Sequence, residues 1–464
     1  MLSDIIHSEI LFKAASPLIT QHTDGQKHMA FTFSGGLDLQ KPDKFSLKRI
    51  KALPTPKYTV IDFSADKGTA FKPLFAQGDH VLAYQCVGEQ TAGDDLVPVY
   101  SAVSGTVRNL TADENGRVAG MIIRADEEQV KAELSGYGGT LAELTPERII
   151  DIVKKAAIPC RGSRGFAYKK LIASSGTARR FILNLCESEP GVNSRKALAA
   201  EDVDEVLDGA KLLMRALDVR RCEIAIEKES KEILNMIAEK IKKNPLFDIR
   251  KTKQKYPQDE EITLIYALSG ARLDSTETPE SSGCVVFDAE TAASVYRAVV
   301  HGIPYCERVI TVEGENLLCP VGTPVSELLE FCDIRTERTK KIISGGPLRG
   351  RAFKRNDDPV RADTEAVTVI YAGDGLSIPE MTPCNRCGRC VSVCPSRIIP
   401  YRIAELSQQK RYKKCAEYGA LACCECGCCD YVCPAYIPIK KLIHAAKQKR
   451  SAAKRDKDEA EESI

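Results

Sequence analysis

The stretch from Cys384 to Cys433 constrains this chain more than any other. It opens with CNRCGRCVSVCP and closes with CCECGCCDYVCP. Each half contains Cys-x-x-Cys-x-x-Cys-x-x-x-Cys-Pro, the run that ligates cubane iron–sulfur clusters. Thiolates are soft ligands suited to iron, and spacings of three let one tight loop reach three corners of a cluster. The fourth Cys, before Pro, crosses to the other cluster in two-cluster chains. Cys384, Cys387 and Cys390 are therefore expected to share one [4Fe-4S] cluster with Cys433. Cys423, Cys426 and Cys429 are expected to share a second with Cys394. Structural zinc needs four ligands and has no use for a regular third Cys followed by Cys-Pro. Disulfides fit worse, because no signal peptide or other mark of an oxidising compartment is seen. Cys415, Cys424 and Cys428 fall outside the spacing, and the last two read as spare thiols beside the cluster.

The remaining composition narrows the partners. Of 19 cysteines, 11 lie within 384–433, and the others read as small buried apolar side chains. Free thiols and iron ligands together imply a reducing cytoplasm. Lys plus Arg is 66 against 64 for Asp plus Glu, which argues against nucleic acid as a partner. No apolar run approaches the ~20 residues of a membrane span, so membrane contact is expected only through partner subunits. The 464 residues predict two to four domains.

Residues 1–27 read as an extension with a short amphipathic helix. Over 28–125, FTFSGGLDL, KYTVIDF, KPLFAQGDHVLAYQCVGE and VPVYSAVSGTVRNL alternate strands with Gly turns. This pattern is similar to the barrel-sandwich fold of lipoyl and biotinyl carrier domains. A carrier presents a lysine at its hairpin tip, and the tip here is TAGDDL, so a structural β-module is expected. Residues 126–275 alternate strand and helix, which predicts a three-layer α/β domain with a parallel sheet. Thr145 is the predicted N-cap of the helix TPERIIDIVKKAA. The loops RGSRGF (161–166) and NLCESEPG (184–191) could approach a phosphate. Residues 283–350 suggest a compact β-grasp-like module with a glycine-rich loop, GGPLRG. A linker is expected at 351–380, a helix-rich cluster domain at 381–445, and a charged disordered tail at 446–464.

The whole order resembles the C subunit of the Rnf-type electron transport complex (RnfC). The matching landmarks are FTFSGGLDL (31–39), GDHVLAYQ (78–85), AVSGTV (102–107), TAASVYRAVVHGIPYCERVITVEG (291–314), ISGGPLRG (343–350) and both Cys runs. The fold implied is multidomain: a barrel-sandwich module, a three-layer α/β flavoprotein-like domain, a soluble-ligand-binding β-grasp (SLBB) module and a two-cluster ferredoxin domain. The α/β domain is also similar to the flavoprotein subunit of respiratory complex I, whose loops GRGGAGFPTG and N-x-D-E-S-E-P-G surround FMN and NADH. Carried over by position, the resemblance implies FMN contacts from Arg161, Gly162, Gly165, Phe166, Asn184, Glu187, Glu189 and Gly191. The departures are Cys160, Ser163, Arg164, Ala167 and Tyr168 in the first loop and Leu185 and Cys186 in the second. KYPQDEEITLI (255–265) lacks the Gly and Lys usual in YPxGxEKQL. These changes weigh against NADH oxidation, and so against NAD as a cofactor.

The function implied is electron transfer through two [4Fe-4S] clusters, as a subunit of a ferredoxin/NAD-linked complex on the cytoplasmic face of the inner membrane. The partners implied are the other subunits of such a complex, or a partner reductase or flavoprotein. The alternatives are an active FMN-dependent NADH:acceptor oxidoreductase and a soluble relay for a dedicated reductase.

Overall fold

The structure, a computed structural model, describes residues 30–39, 48–64, 69–161, 165–273, 277–371 and 380–449. The expected N-terminal helix, most of the charged tail and residues Gly162, Ser163 and Arg164 lie outside the described residues. Among the described residues, no helix is long and apolar enough to cross a membrane.

Two antiparallel sheets form the first β-module. One is ordered Tyr58–Asp62, Val118–Ala125, Gly105–Ala112, His80–Val81, and the other Phe71–Pro73, Cys86–Ala92, Asp95–Tyr100. Period-two alternation turns Val87, Val99, Val107, Met121 and Ile123 into a shared core. The hairpin tip is docked rather than free. Asp95 pairs with Lys154 and accepts from the Tyr168 hydroxyl at 2.9 Å, both on the α/β domain. A swinging carrier arm needs that tip in solvent, so the module is built as a fixed support.

The α/β domain has a wholly parallel sheet ordered Phe247–Thr252, Cys222–Glu227, Arg180–Asn184, Cys284–Asp288. Phe181 and Leu183 face one helical layer, and Ile182 faces the other, where Leu264, Ile265 and Leu268 pack. The helix Pro146–Lys155 starts where expected, with the Thr145 hydroxyl accepting from the Arg148 N–H. The sheet does not end at 275, as expected from sequence. Its fourth strand, Cys284–Asp288, and the following helix, Ala289–His301, repeat the strand–helix unit and belong to this domain, not to the separate module expected over 283–350. That helix crosses Val203–Ala216 so closely that a Cβ on Gly209 would lie 1.8 Å from the Ala292 carbonyl oxygen. Gly209→Ala would gain ~1 kcal/mol of helix propensity. Forcing the backbones apart costs ~1–3 kcal/mol. A net fall in thermal midpoint is expected.

A six-stranded mixed sheet follows, ordered Ile50–Ala52, Glu315–Pro320, Glu307–Val312, Ala366–Tyr371, Thr339–Ser344, Arg351–Ala352. The helix Val325–Phe331 covers it through Val325, Leu328 and Leu329. The region expected as a linker, 351–380, thus supplies two strands, and residues 50–52 join this sheet rather than the barrel-sandwich module. Nor does Phe31–Leu39 lie in the barrel-sandwich sheets. The Leu37 N–H bonds to the Tyr256 carbonyl at 2.8 Å and the Gly36 N–H to the Val393 carbonyl at 2.8 Å, tying the α/β domain to the cysteine region.

The cysteine region is helix-rich. Pro400–Gln408 and Tyr412–Glu417 fill the gap between the two Cys runs, and residues 439–449 are helical, past the point where the tail was expected to begin. Ile403, Leu406, Ile439 and Ile443 form its core beside Cys390, Cys394 and Cys429.

Candidate cluster sites and the flavin-like loops

The two Cys runs fold as near copies. In each, a non-glycine residue takes a left-handed conformation between the first two cysteines of the loop (Arg386, φ 55°; Glu425, φ 56°). That turn aims a backbone N–H at the first sulfur: Arg386 N–H to Cys384 Sγ and Glu425 N–H to Cys423 Sγ, both 3.4 Å. A left-handed glycine then opens a one-turn helix, Gly388 before Arg389–Ser392 and Gly427 before Cys428–Tyr431. Gly427 has a second constraint, since a Cβ there would lie 2.8 Å from the Leu348 carbonyl oxygen.

Side chains from the two runs meet at two separate cavities. One is lined by Cys384, Cys387, Cys390 and Cys433, with Tyr401 and Ile439. The other is lined by Cys394, Cys423, Cys426 and Cys429, with Cys424 and Cys428 beside them. Each quartet therefore takes three cysteines from one run and one from the other. Four thiols around each cavity are the donor set that a cubane cluster takes.

The two quartets differ in setting. Cys384 and Cys387 are exposed, whereas Cys394, Cys426 and Cys429 are buried. Burial pushes the Cys394 thiol up to about 11 and the Cys423 thiol up to about 12. Metal ligation requires thiolates, so loading these sites releases protons. Cys415 is buried, with its thiol directed at the Ile403 carbonyl, and lines neither cavity.

Above the buried quartet stand the carboxyl ends of the parallel strands, where open α/β sheets bind ligands. Asn184 ends Arg180–Asn184, and its side chain donates to the Asp259 carbonyl and accepts from the Cys186 N–H. Glu187 accepts from the Arg195 N–H at 2.8 Å and the Lys196 N–H at 3.2 Å, so its carboxylate faces the start of the helix Ser194–Glu201. Glu189 accepts from the Arg349 N–H at 2.7 Å and the Leu348 N–H at 3.2 Å. The GGPLRG loop thus sits directly on the ESEPG loop. A Cβ on Gly346 would come within 2.6 Å of the Glu189 carboxyl carbon.

Sequence reasoning did not single out the residues at the centre of this region. Asp259 is 3% exposed and ion-pairs with Arg349 and with Arg161, the latter at 3.4 Å. Arg349 also reaches Glu260 at 2.9 Å and Glu189 at 3.4 Å. Tyr256, its OH bonded to the Cys426 carbonyl, joins this cluster to the buried cysteine loop. Lys440 ties the same two parts through the Leu348 carbonyl at 2.9 Å. The missing Gly of KYPQDEEITLI and the arginine of GGPLRG were the available signals.

The described residues expected to surround FMN divide between two cavities. Asn184 and Arg161 border a cavity of about 30 Å³, room for a water or two. Arg161, Gly165, Phe166 and Glu189 border a different cleft of about 600 Å³, between the barrel-sandwich module and the GGPLRG loop. Glu187 and Gly191 border neither.

Two family models match parts of the chain. The RnfC barrel sandwich hybrid domain matches residues 31–128, and the Nuo51 FMN-binding domain matches residues 153–297. The second match includes the fourth parallel strand and most of its helix. The chain is 29% identical over 380 residues to the C subunit of the Na(+)-translocating ferredoxin:NAD(+) oxidoreductase complex of Acetobacterium woodii, covering 79% of this chain and 85% of that one. This is an RnfC-like chain. A Clostridium ljungdahlii relative, the C subunit of a proton-translocating ferredoxin:NAD(+) oxidoreductase complex, is 28% identical over 84% of the RnfC-like chain and 87% of its own length. The C subunit of an Edwardsiella ictaluri ion-translocating oxidoreductase complex is 28% identical, and only 50% of it is spanned. Among solved structures, NAD+-reducing [NiFe]-hydrogenase in the air-oxidized state aligns with a TM-score of 0.43 at 18% identity, over 59% of this chain and 54% of that one. The relatives and the FMN-domain match point to electron transport with flavin and iron–sulfur cofactors for proteins of this architecture.

Proposed function

We propose that this chain is an electron-transfer protein with two [4Fe-4S] clusters, working within a larger complex. The observation that carries the reading is the sorting of eight cysteines into two quartets, each around its own cavity and each completed by the opposite run. Cys384, Cys387, Cys390 and Cys433 would hold one cluster. Cys394, Cys423, Cys426 and Cys429 would hold the other. Bound clusters of this kind supply one-electron transfer, tuned by hydrogen bonds to sulfur and by burial. The Arg386 and Glu425 amides supply one such bond to each site. The exposure of Cys384 and Cys387 supports a first site at the surface, where electrons would exchange with a partner. The second site lies inward, behind Tyr256 and Leu348.

The six-stranded sheet fits an SLBB-type β-grasp module, and residues 381–445 fit a two-cluster ferredoxin-type domain. Like its relatives, the chain would work as the C subunit of an ion-translocating ferredoxin:NAD-linked complex, touching the membrane only through partner subunits on the cytoplasmic face. Anaerobic purification with iron and sulfide counted, followed by electron paramagnetic resonance of the reduced protein, tests the reading. About eight irons per chain and two interacting [4Fe-4S] signals are expected. Iron well below about four per chain after reconstitution would sink it.

A further inference from the structure

We propose that the place at the strand ends where the resembled flavoproteins hold flavin is, in this chain, a closed ion cluster. The chain would then take no FMN and receive electrons singly from another redox protein, not from NADH. The missing flavin stands independently of the two-cluster reading, and the one-electron entry rests on it.

Space comes first. The strand ends at Asn184 and Asp288 face a cavity of about 30 Å³. Asp259 stands at the Gly position of the YPxGxEKQL pattern, so a side chain fills what a glycine would leave open. Its carboxylate is locked by Arg349, and Ser188 donates to it from the ESEPG loop.

Charge points the same way. The small cavity is faced by Asp259, Glu260, Glu261 and Asp288, against Arg161 and Lys170. Both cations are already engaged: Lys170 with Glu261 and the Val286 carbonyl, Arg161 with Asp259 and, at 3.2 Å, Glu365. A flavin phosphate would add negative charge to an acidic wall with its cations already paired. The cleft of about 600 Å³ alongside has space and is bordered by Arg161, Gly165, Phe166 and Glu189, but not by the strand-end residue Asn184, nor by Glu187 or Gly191.

The electron count then decides the donor. A hydride brings two electrons, and one [4Fe-4S] centre accepts one. Flavin, which can pass electrons on singly, would be the converter. Without it, the donor gives up one electron and one cluster gains it, with no bond made and no proton moved. The partner class is a one-electron carrier, such as an iron–sulfur protein or a flavoprotein that releases electrons one at a time.

The test uses anaerobically purified full-length chain with its clusters loaded, incubated with FMN, gel-filtered and assayed for iron, sulfide and flavin. NADH and then reduced methyl viologen are added while the visible cluster absorbance is followed. The expected result is no retained flavin, unchanged absorbance with NADH, and bleaching by reduced viologen. One FMN retained per chain, or bleaching by NADH alone, would overturn the proposal. A flavin count near zero supports it even where iron falls short, a shortfall that would count only against the cluster reading.

Discussion

Cys426→Ser protein is expected to hold about four iron atoms where the parent holds about eight, and to keep the signal of the surface cluster. Cys387→Ser should do the converse. The two losses differ in their structural cost. Cys426 is buried between Tyr256 and Leu348, so losing the inner cluster loosens the contact between the cysteine region and the α/β domain. Cys387 is exposed, and a cluster held there would border solvent. The sharper experiment is Cys433→Ser. Cys433 belongs to the second run in sequence, yet it lines the first cavity. Its loss should therefore reproduce the spectrum of Cys384→Ser, not that of Cys429→Ser. The opposite result would refute the crossed pairing.

Arg349→Met should destabilise the folded chain by about 3–5 kcal/mol, read as a lower denaturant midpoint at neutral pH. Removing one member of a buried ion pair strands the other, and that is the large term. Burial by itself would raise the Asp259 carboxyl, yet Arg349 and then Arg161 hold it well below the ordinary carboxylate range. Its native pKa is thus below its unfolded value near ~3.9, so the stabilisation is full above that pH and fades as pH falls through it. The gap between parent and Arg349→Met should accordingly be widest at neutral pH and narrow below about pH 4. Arg349→Lys should recover little, because a single ammonium cannot span Glu260, Asp259 and Glu189 at once. A midpoint for Arg349→Met within error of the parent would show that the pairing is incidental.

The elements with local signatures were legible. The cysteine spacing, the Thr145 cap and the strand–turn–strand texture near 58–125 each depend on neighbours a few residues away. Errors arose where pairing is distant. Cys284–Asp288 has its partner Arg180–Asn184 a hundred residues upstream, so the run read as the start of a new module, although its strand–helix texture repeats the preceding units. Ile50–Ala52 pairs with Asn316–Leu318, which nothing near residue 50 reports. Among candidate site residues, the grouping of eight cysteines around two cavities was readable because their spacing is a local repeat. Asp259 and Arg349 were not, because their meaning comes from facing each other across 90 residues. Each was visible beforehand only as an oddity in its own loop.

The crossing of the cysteine runs also bears on how the chain matures. Neither cavity can gather its four ligands from one run, so a growing polypeptide has no complete site until residue 429 has been made, and the surface quartet must wait for residue 433. By then the α/β domain and both β-modules have already emerged. On the two-cluster reading, iron loading would come last in synthesis, and a chain broken anywhere before residue 429 would hold a full ligand set for neither cluster.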